Sequence, residues 1–264
     1  MDHDPVARRL AQAPMEVVGR FADASNATLL VRLTDRDPRP LAELADTLGH
    51  EPGLEDLDPA DLAVHKPRDG ERPLWDFPPG TLHRREVAAY DIATALGWDL
   101  VPQTVVRDGP YGPGSVQRFV PHDPQMHYFS LVEAGDPAVR RQLVQMVVLD
   151  LVIDNADRKG GHVLLETGGG GQGRIRLVDH GVTFNVERKL RTVAWDFAGE
   201  PVPADLVPDV DRLCGQLDGA LGERLAALLA DDEVDALRRR IAEVGRLERL
   251  PEPSGPYPYP WPLL

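Results

Sequence analysis

Val152-Ile153-Asp154-Asn155-Ala156-Asp157-Arg158-Lys159-Gly160-Gly161-His162-Val163-Leu164-Leu165 is the stretch on which the reading of this chain turns. It passes from apolar to charged and back to apolar. Upstream, Leu143, Met146, Val147, Leu149, Leu151 and Ile153 nearly encircle residues 137–153, which predicts a buried helix. Residues 154–161 form the polar loop that ends it. Both flanks have buried character, so the loop is expected to be held rigidly. Residues 162–166 and 174–178 read as strands around a glycine-rich tip at 168–173. That tip lacks the glycine and lysine order of a phosphate-cradling P-loop. The second strand delivers Asp179-His180-Gly181 at its end. A hairpin joining the two strands would bring Asp157, His162 and Asp179 to one mouth. Carboxylates converging there suit Mg²⁺, a hard ion held by one or two carboxylates plus substrate phosphates.

Working outward, residues 15–33 read as a β-hairpin with Ala24-Ser25-Asn26 as its turn. Residues 35–62 are acidic and proline-containing and read as an insertion. Ala63-Val64-His65-Lys66 is a short strand stopped by Pro67, and a long loop with apolar anchors follows it. Residues 82–96 have helical spacing in Val87, Tyr90, Ile92, Ala93 and Leu96, with Gly97 as the stop. Residues 101–107 and 115–120 read as strands around a Gly/Pro turn. Residues 189–249 look helical. The last 14 residues hold six prolines and three aromatics, a polyproline-like tail expected to pack on its own lobe. Strands first and helices later predict an α+β fold of two lobes, 1–120 and 121–250, with a tail at 251–264.

The bulk numbers restrict function. The 264 residues suffice for two lobes, and 42% hydrophobic against 27% charged residues is ordinary globular composition. The net charge of −14 argues against a general nucleic-acid or anionic-membrane binder. No apolar run approaches the roughly 20 residues of a membrane helix. The N-terminus does not read as a secretion signal, and the single cysteine, Cys214, forbids an internal disulfide. A cytoplasmic protein is expected.

The order of these motifs resembles the atypical kinase group that contains the phosphatidylinositol 3- and 4-kinases and the HipA-like bacterial kinases. It is also similar to an actinobacterial family labelled phosphatidylinositol-kinase-like. Asp157-Arg158-Lys159-Gly160-Gly161-His162 matches an Asp-Arg-His-x-x-Asn catalytic loop, and Asp179-His180-Gly181 matches the metal-binding Asp-x-Gly after its hairpin. Val64-His65-Lys66-Pro67 resembles the strand of the phosphate-binding lysine, and Arg84-Arg85-Glu86-Val87 the helix whose glutamate pairs with it. Ser25 and Asn26 fit the tip that covers the phosphates. Gln117, Phe119 and Val120 fit the linker whose backbone meets adenine. The resemblance spans roughly residues 15–200.

It implies a kinase-like fold, ATP with Mg²⁺ or Mn²⁺ between the lobes, and transfer of the γ-phosphate to a hydroxyl of a small molecule or protein. Catalytic roles fall to Asp157 and Arg158, nucleotide roles to Lys66 and Glu86, and metal roles to Asp179 and His162. Arg188, Lys189 and Arg191 occupy the segment that reads the substrate and could attract an anionic acceptor. The plainer reading of that cluster is an exposed helix start.

One departure matters. His162 stands where the group has asparagine, and imidazole prefers Zn²⁺, Ni²⁺ or Cu²⁺ to Mg²⁺. Asn155 or Asp154 is an alternative second ligand. Two other functions therefore stay open: a pseudokinase that binds nucleotide without turnover, and a metal-dependent hydrolase built on His162, Asp179 and His180.

Overall fold

The structure is a computed structural model that describes residues 4–21, 24, 26–34, 56–168 and 173–264. Ser25, most of the 35–62 insertion and most of the glycine-rich tip lie outside the described residues. Contacts divide the chain into two units. One comprises Met1–Val87 and Gln103–Val120, the other Ala88–Pro102 and Pro121–Leu264.

The first unit is built on a five-stranded antiparallel sheet in the order β1-β2-β3-β5-β4. The strands are β1 Met15–Arg20, β2 Leu29–Leu33, β3 Leu62–Pro67, β4 Thr104–Gly109 and β5 Gly112–Arg118. Period-2 burial of Leu29, Val31, Leu33 and Ala63 gives the sheet one apolar face. Against it packs Leu10 of helix α1, Pro5–Gln12, an element that the sequence reading did not foresee. Asp4 caps that helix through the Val6 amide, with Pro5 at its first position, so a start signal was present.

The β4–β5 turn is tighter than expected because glycine permits a close approach. A Cβ on Gly114 would lie 2.3 Å from the Lys66 carbonyl oxygen, and one on Gly109 would lie 2.5 Å from the ring of buried His65. The strand carrying Lys66 is thereby clamped against β5.

Helix α2, Leu82–Leu96, contributes Glu86 and Val87 to the first unit, while Ala88, Ala89, Ile92 and Leu96 join the core of the second. The second unit also contains α3 Tyr128–Ala134, α4 Pro137–Ile153, α5 Val207–Gln216, α6 Ala220–Ala226 and α7 Asp231–Val244, with the hairpin β6 Val163–Leu165 and β7 Ile175–Leu177. From Leu143 to Ile153 α4 is apolar nearly all round and runs through the core, as its sequence predicts.

Residues 189–206 are a correction to the helical expectation: apart from one 3₁₀ turn at Trp195–Phe197 they are irregular. Their amides bond elsewhere, Arg191 to Asn155, Thr192 to Pro258 and Val193 to Arg158, all through carbonyl acceptors. The tail belongs to the second unit, with buried Pro260 and a hydrogen bond from the Gly160 amide to the Leu263 carbonyl.

Candidate active site

The loop after α4 is fixed from several directions. Asp154 ends the helix in the left-handed region (φ 53°), which only a strongly determined position sustains outside glycine. Ala156 donates to Val182, Phe184 donates to Ile153, and Arg158 donates to Arg191. Asn155 accepts from the Asp157 amide at 2.9 Å and donates to Asp150 at 3.0 Å.

Arg158 is fully buried. Its guanidinium donates to both oxygens of Asp150 at 2.9 Å, to the Val178 carbonyl at 3.1 Å and to His180 Nε2 at 2.9 Å. An arginine has only donors, so His180 Nε2 is the acceptor there. This network joins the catalytic-type loop to the strand end that carries Asp179. Arg158, expected beside Asp157 in the chemistry, is turned inward and positions the loop instead.

Three side chains reach the mouth. Asp157 lies 3.1 Å from Lys159 Nζ. Burial pushes its carboxyl from 3.8 up to about 6; Lys159 opposes that rise and nearby Asp179 adds to it. Asp179 is partly exposed and adopts the left-handed region (φ 60°). Its Oδ2 lies 3.2 Å from His162 Nε2. His162 Nδ1 accepts the Lys159 amide at 3.4 Å, so Nε2 carries the proton and donates to Asp179. In this state the imidazole offers no lone pair to a metal.

Asn155 and Asp154 do not replace it. Both are buried, and Asp154 accepts the Lys189 amide at 2.9 Å. His180 is buried and faces Arg158, which leaves the three-ligand hydrolase reading without its third member.

The donor set that remains is one exposed carboxylate beside a second whose pKa is raised. It fits Mg²⁺ or Mn²⁺ completed by phosphate oxygens and water, and not a closed protein cage. Among the described residues no group of three or more His, Cys, Asp or Glu could hold a metal by itself.

In the first unit, Lys66 Nζ lies 2.5 Å from Glu86 Oε1, and Glu86 is buried. Asn26 Oδ1 accepts the Arg72 amide at 2.8 Å, tying the β1–β2 turn to the loop beyond β3. Gln117 is buried and donates to Thr104 Oγ1 at 2.8 Å. The Phe119 amide donates to the Leu62 carbonyl at 3.2 Å, and Val120 is buried. The Phe119 amide is therefore already engaged and is not a donor for adenine.

Arg188 is exposed and paired with Glu243, Lys189 Nζ is 3.8 Å from Glu187, and Arg191 is half-buried. None of the three starts a helix. Lys159 and Asp150 were not singled out from the sequence. Lys159 stands two residues after Asp157, and Asp150 is the lone acid between Leu143 and Ile153. Those spacings were the available signals.

The fold has counterparts among solved structures. The Helicobacter pylori proinflammatory kinase CtkA matches with a TM-score of 0.50 at 11% identity, over 91% of this chain and 94% of that one. Hydra Fam20 with sugar matches with a TM-score of 0.50 at 14% identity, over 92% of this chain and 88% of that one. At those identities the likeness establishes fold alone, and the fold is of the atypical protein-kinase-like kind. No family model matches the chain. In sequence it is 39% identical over 284 residues to Protein Rv2133c of Mycobacterium tuberculosis, covering 96% of this chain and 93% of that protein. With that identity across nearly the whole of both chains, this protein belongs to the family of Protein Rv2133c.

Proposed function

We propose that this protein is an ATP-dependent phosphotransferase that moves the γ-phosphate to a hydroxyl of a small molecule or protein. The observation that carries the reading is the Lys66–Glu86 ion pair between a sheet strand and a helix of a kinase-like fold. The motif resemblance to the phosphatidylinositol 3-/4-kinase and HipA-like group supports it from the sequence side.

Phosphoryl transfer needs alignment and charge neutralisation more than covalent chemistry. Glu86 holds the Lys66 ammonium in place, and Lys66 binds the nucleotide phosphates. Asp179 provides the carboxylate for Mg²⁺, which when bound neutralises phosphate charge. Asp157, its carboxyl lifted to about 6, is ionised at neutral pH and still basic enough to take the proton of the acceptor hydroxyl. Lys159, 3.1 Å from Asp157, supplies positive charge beside that hydroxyl. Arg188, Lys189 and Arg191 form a cationic stretch one short strand-like contact from the loop, suited to an anionic acceptor.

The test is incubation with γ-labelled ATP and Mg²⁺ or Mn²⁺ in the presence of metabolite extracts. Label should pass to an acceptor or be released slowly as phosphate. Absence of nucleotide binding with either metal would overturn the reading.

A second reading, a nucleotide-binding pseudokinase, is favoured by the His162–Asp179 hydrogen bond, which competes with metal binding at Asp179. The two readings separate in His162→Asn. A tuned kinase gains metal affinity and turnover with that substitution. A pseudokinase binds nucleotide in both forms, turns over neither, and is indifferent to Asp157→Ala.

A further inference from the structure

Within the second unit lies a cavity of about 520 Å³ that neither Asp157, His162 nor Asp179 lines. Its volume is in the range of small-molecule sites. One wall is the stretch Arg188-Lys189-Leu190-Arg191, another is the end of α7 with Val244 and Leu247, and the tail closes a third. Trp195 and Tyr257 contribute aromatic surface.

The tail wall is anchored. The Pro258 carbonyl accepts from the Thr192 amide at 3.1 Å and from Trp195 Nε1 at 2.9 Å. The charges are not balanced. Glu243 is taken up by Arg188, and Glu252 is the other carboxylate of the lining. Lys189 is 3.8 Å from Glu187, while the Arg191 guanidinium makes no hydrogen bond or ion pair with any described residue. A half-buried arginine in the lining of a cavity that also has apolar and aromatic walls, in a protein of net charge −14, is a specific place for an anion.

We propose that this cavity binds a small amphipathic anion: a phosphate, sulfonate or carboxylate clasped by Arg191, on an apolar or aromatic body packed against Trp195 and Leu247. The proposal shares Arg188, Lys189 and Arg191 with the anionic-acceptor part of the phosphotransferase reading, but its test requires neither nucleotide nor turnover, so the two can fail separately. The site is wired to the catalytic-type loop through Arg191, whose amide donates to Asn155 and whose carbonyl accepts from Arg158, both at 3.0 Å. Occupancy at Arg191 should slow amide exchange at Arg158.

Phenyl phosphate, added to the full chain without ATP or metal, is the probe, read by calorimetry and by tryptophan emission. Saturable binding is expected, stronger than that of either phenol or inorganic phosphate. Arg191→Ala should weaken it about tenfold or more, whereas Arg191→Lys retains most of it. Because the Arg191 side chain has no described partner to lose, both variants should melt close to the parent, and melting curves check this. No saturable binding at millimolar probe, or equal binding by Arg191→Ala, would each overturn the assignment.

Discussion

Asp157 shows how one environment sets both chemistry and stability. Its folded pKa is raised from 3.8 to about 6, so folding favours the protonated carboxyl. That contribution is fully present below pH 3.8 and disappears as pH rises through about 6. At pH 7.5 the ionised group therefore opposes folding by up to ~3 kcal/mol. Asp157→Asn should raise the melting temperature at pH 7.5 and do so less at pH 5. On the proposed phosphotransferase reading, the same substitution should lower kcat by about 10²–10⁴-fold, the usual weight of a general base. In the parent, kcat should climb with pH around a midpoint near 6. A variant that loses stability at pH 7.5 would contradict the burial argument.

The sequence located Asp157, Asp179 and His162 together because a helix, a loop and a hairpin fix their spacing. It did not reveal that Arg158 points inward or that His162 donates to Asp179. Those are decided by Asp150 and by the Lys159 amide, partners whose orientation no local pattern encodes.

Among the elements, α4 was legible to the residue, since the apolar side chains from Leu143 to Ile153 nearly encircle its C-terminal part, which suits a buried helix. Residues 189–206 were misread for the opposite reason. Their amides are satisfied by Asn155, Arg158 and Pro258, up to 66 positions distant in the chain, so composition alone suggested a helix that never forms. The β3–β5 clamp is a third case, in which the turn was recognised and its tightness was not.

That tightness gives an element-scale prediction. Gly114→Ala would place a methyl 2.3 Å from the Lys66 carbonyl and 2.7 Å from Pro67 Cα, both backbone atoms that cannot step aside. It should destabilise the protein by about 2–4 kcal/mol in chemical denaturation. If Lys66 serves the nucleotide, the variant should also raise the KM for ATP more than it lowers kcat.

For the molecule as a whole, binding and folding are linked. A ligand that binds only the folded chain adds about 2.7 kcal/mol at 100 times its Kd. ATP with Mg²⁺ should accordingly raise the melting temperature in a concentration-dependent way, and Lys66→Ala should abolish the shift. A flat melting curve over the full range of ATP would count against the nucleotide role. Among the described residues no helix is long and apolar enough to cross a membrane.

The Arg158–Asp150–His180 network separates two kinds of loss. Asp157 is half-buried and paired with Lys159, and Asp179, at the end of the following hairpin, is partly exposed and paired with His162. Arg158 is buried against Asp150, which would be left an uncompensated charge without it, a loss of roughly 3–5 kcal/mol for a broken buried pair. Asp157→Ala should thus leave the loop intact, whereas Arg158→Ala should unfold the chain at markedly lower denaturant. On the proposed phosphotransferase reading, then, the arginine is a marker of architecture, and Asp157 and Asp179 are the positions whose loss should end turnover while leaving the fold in place.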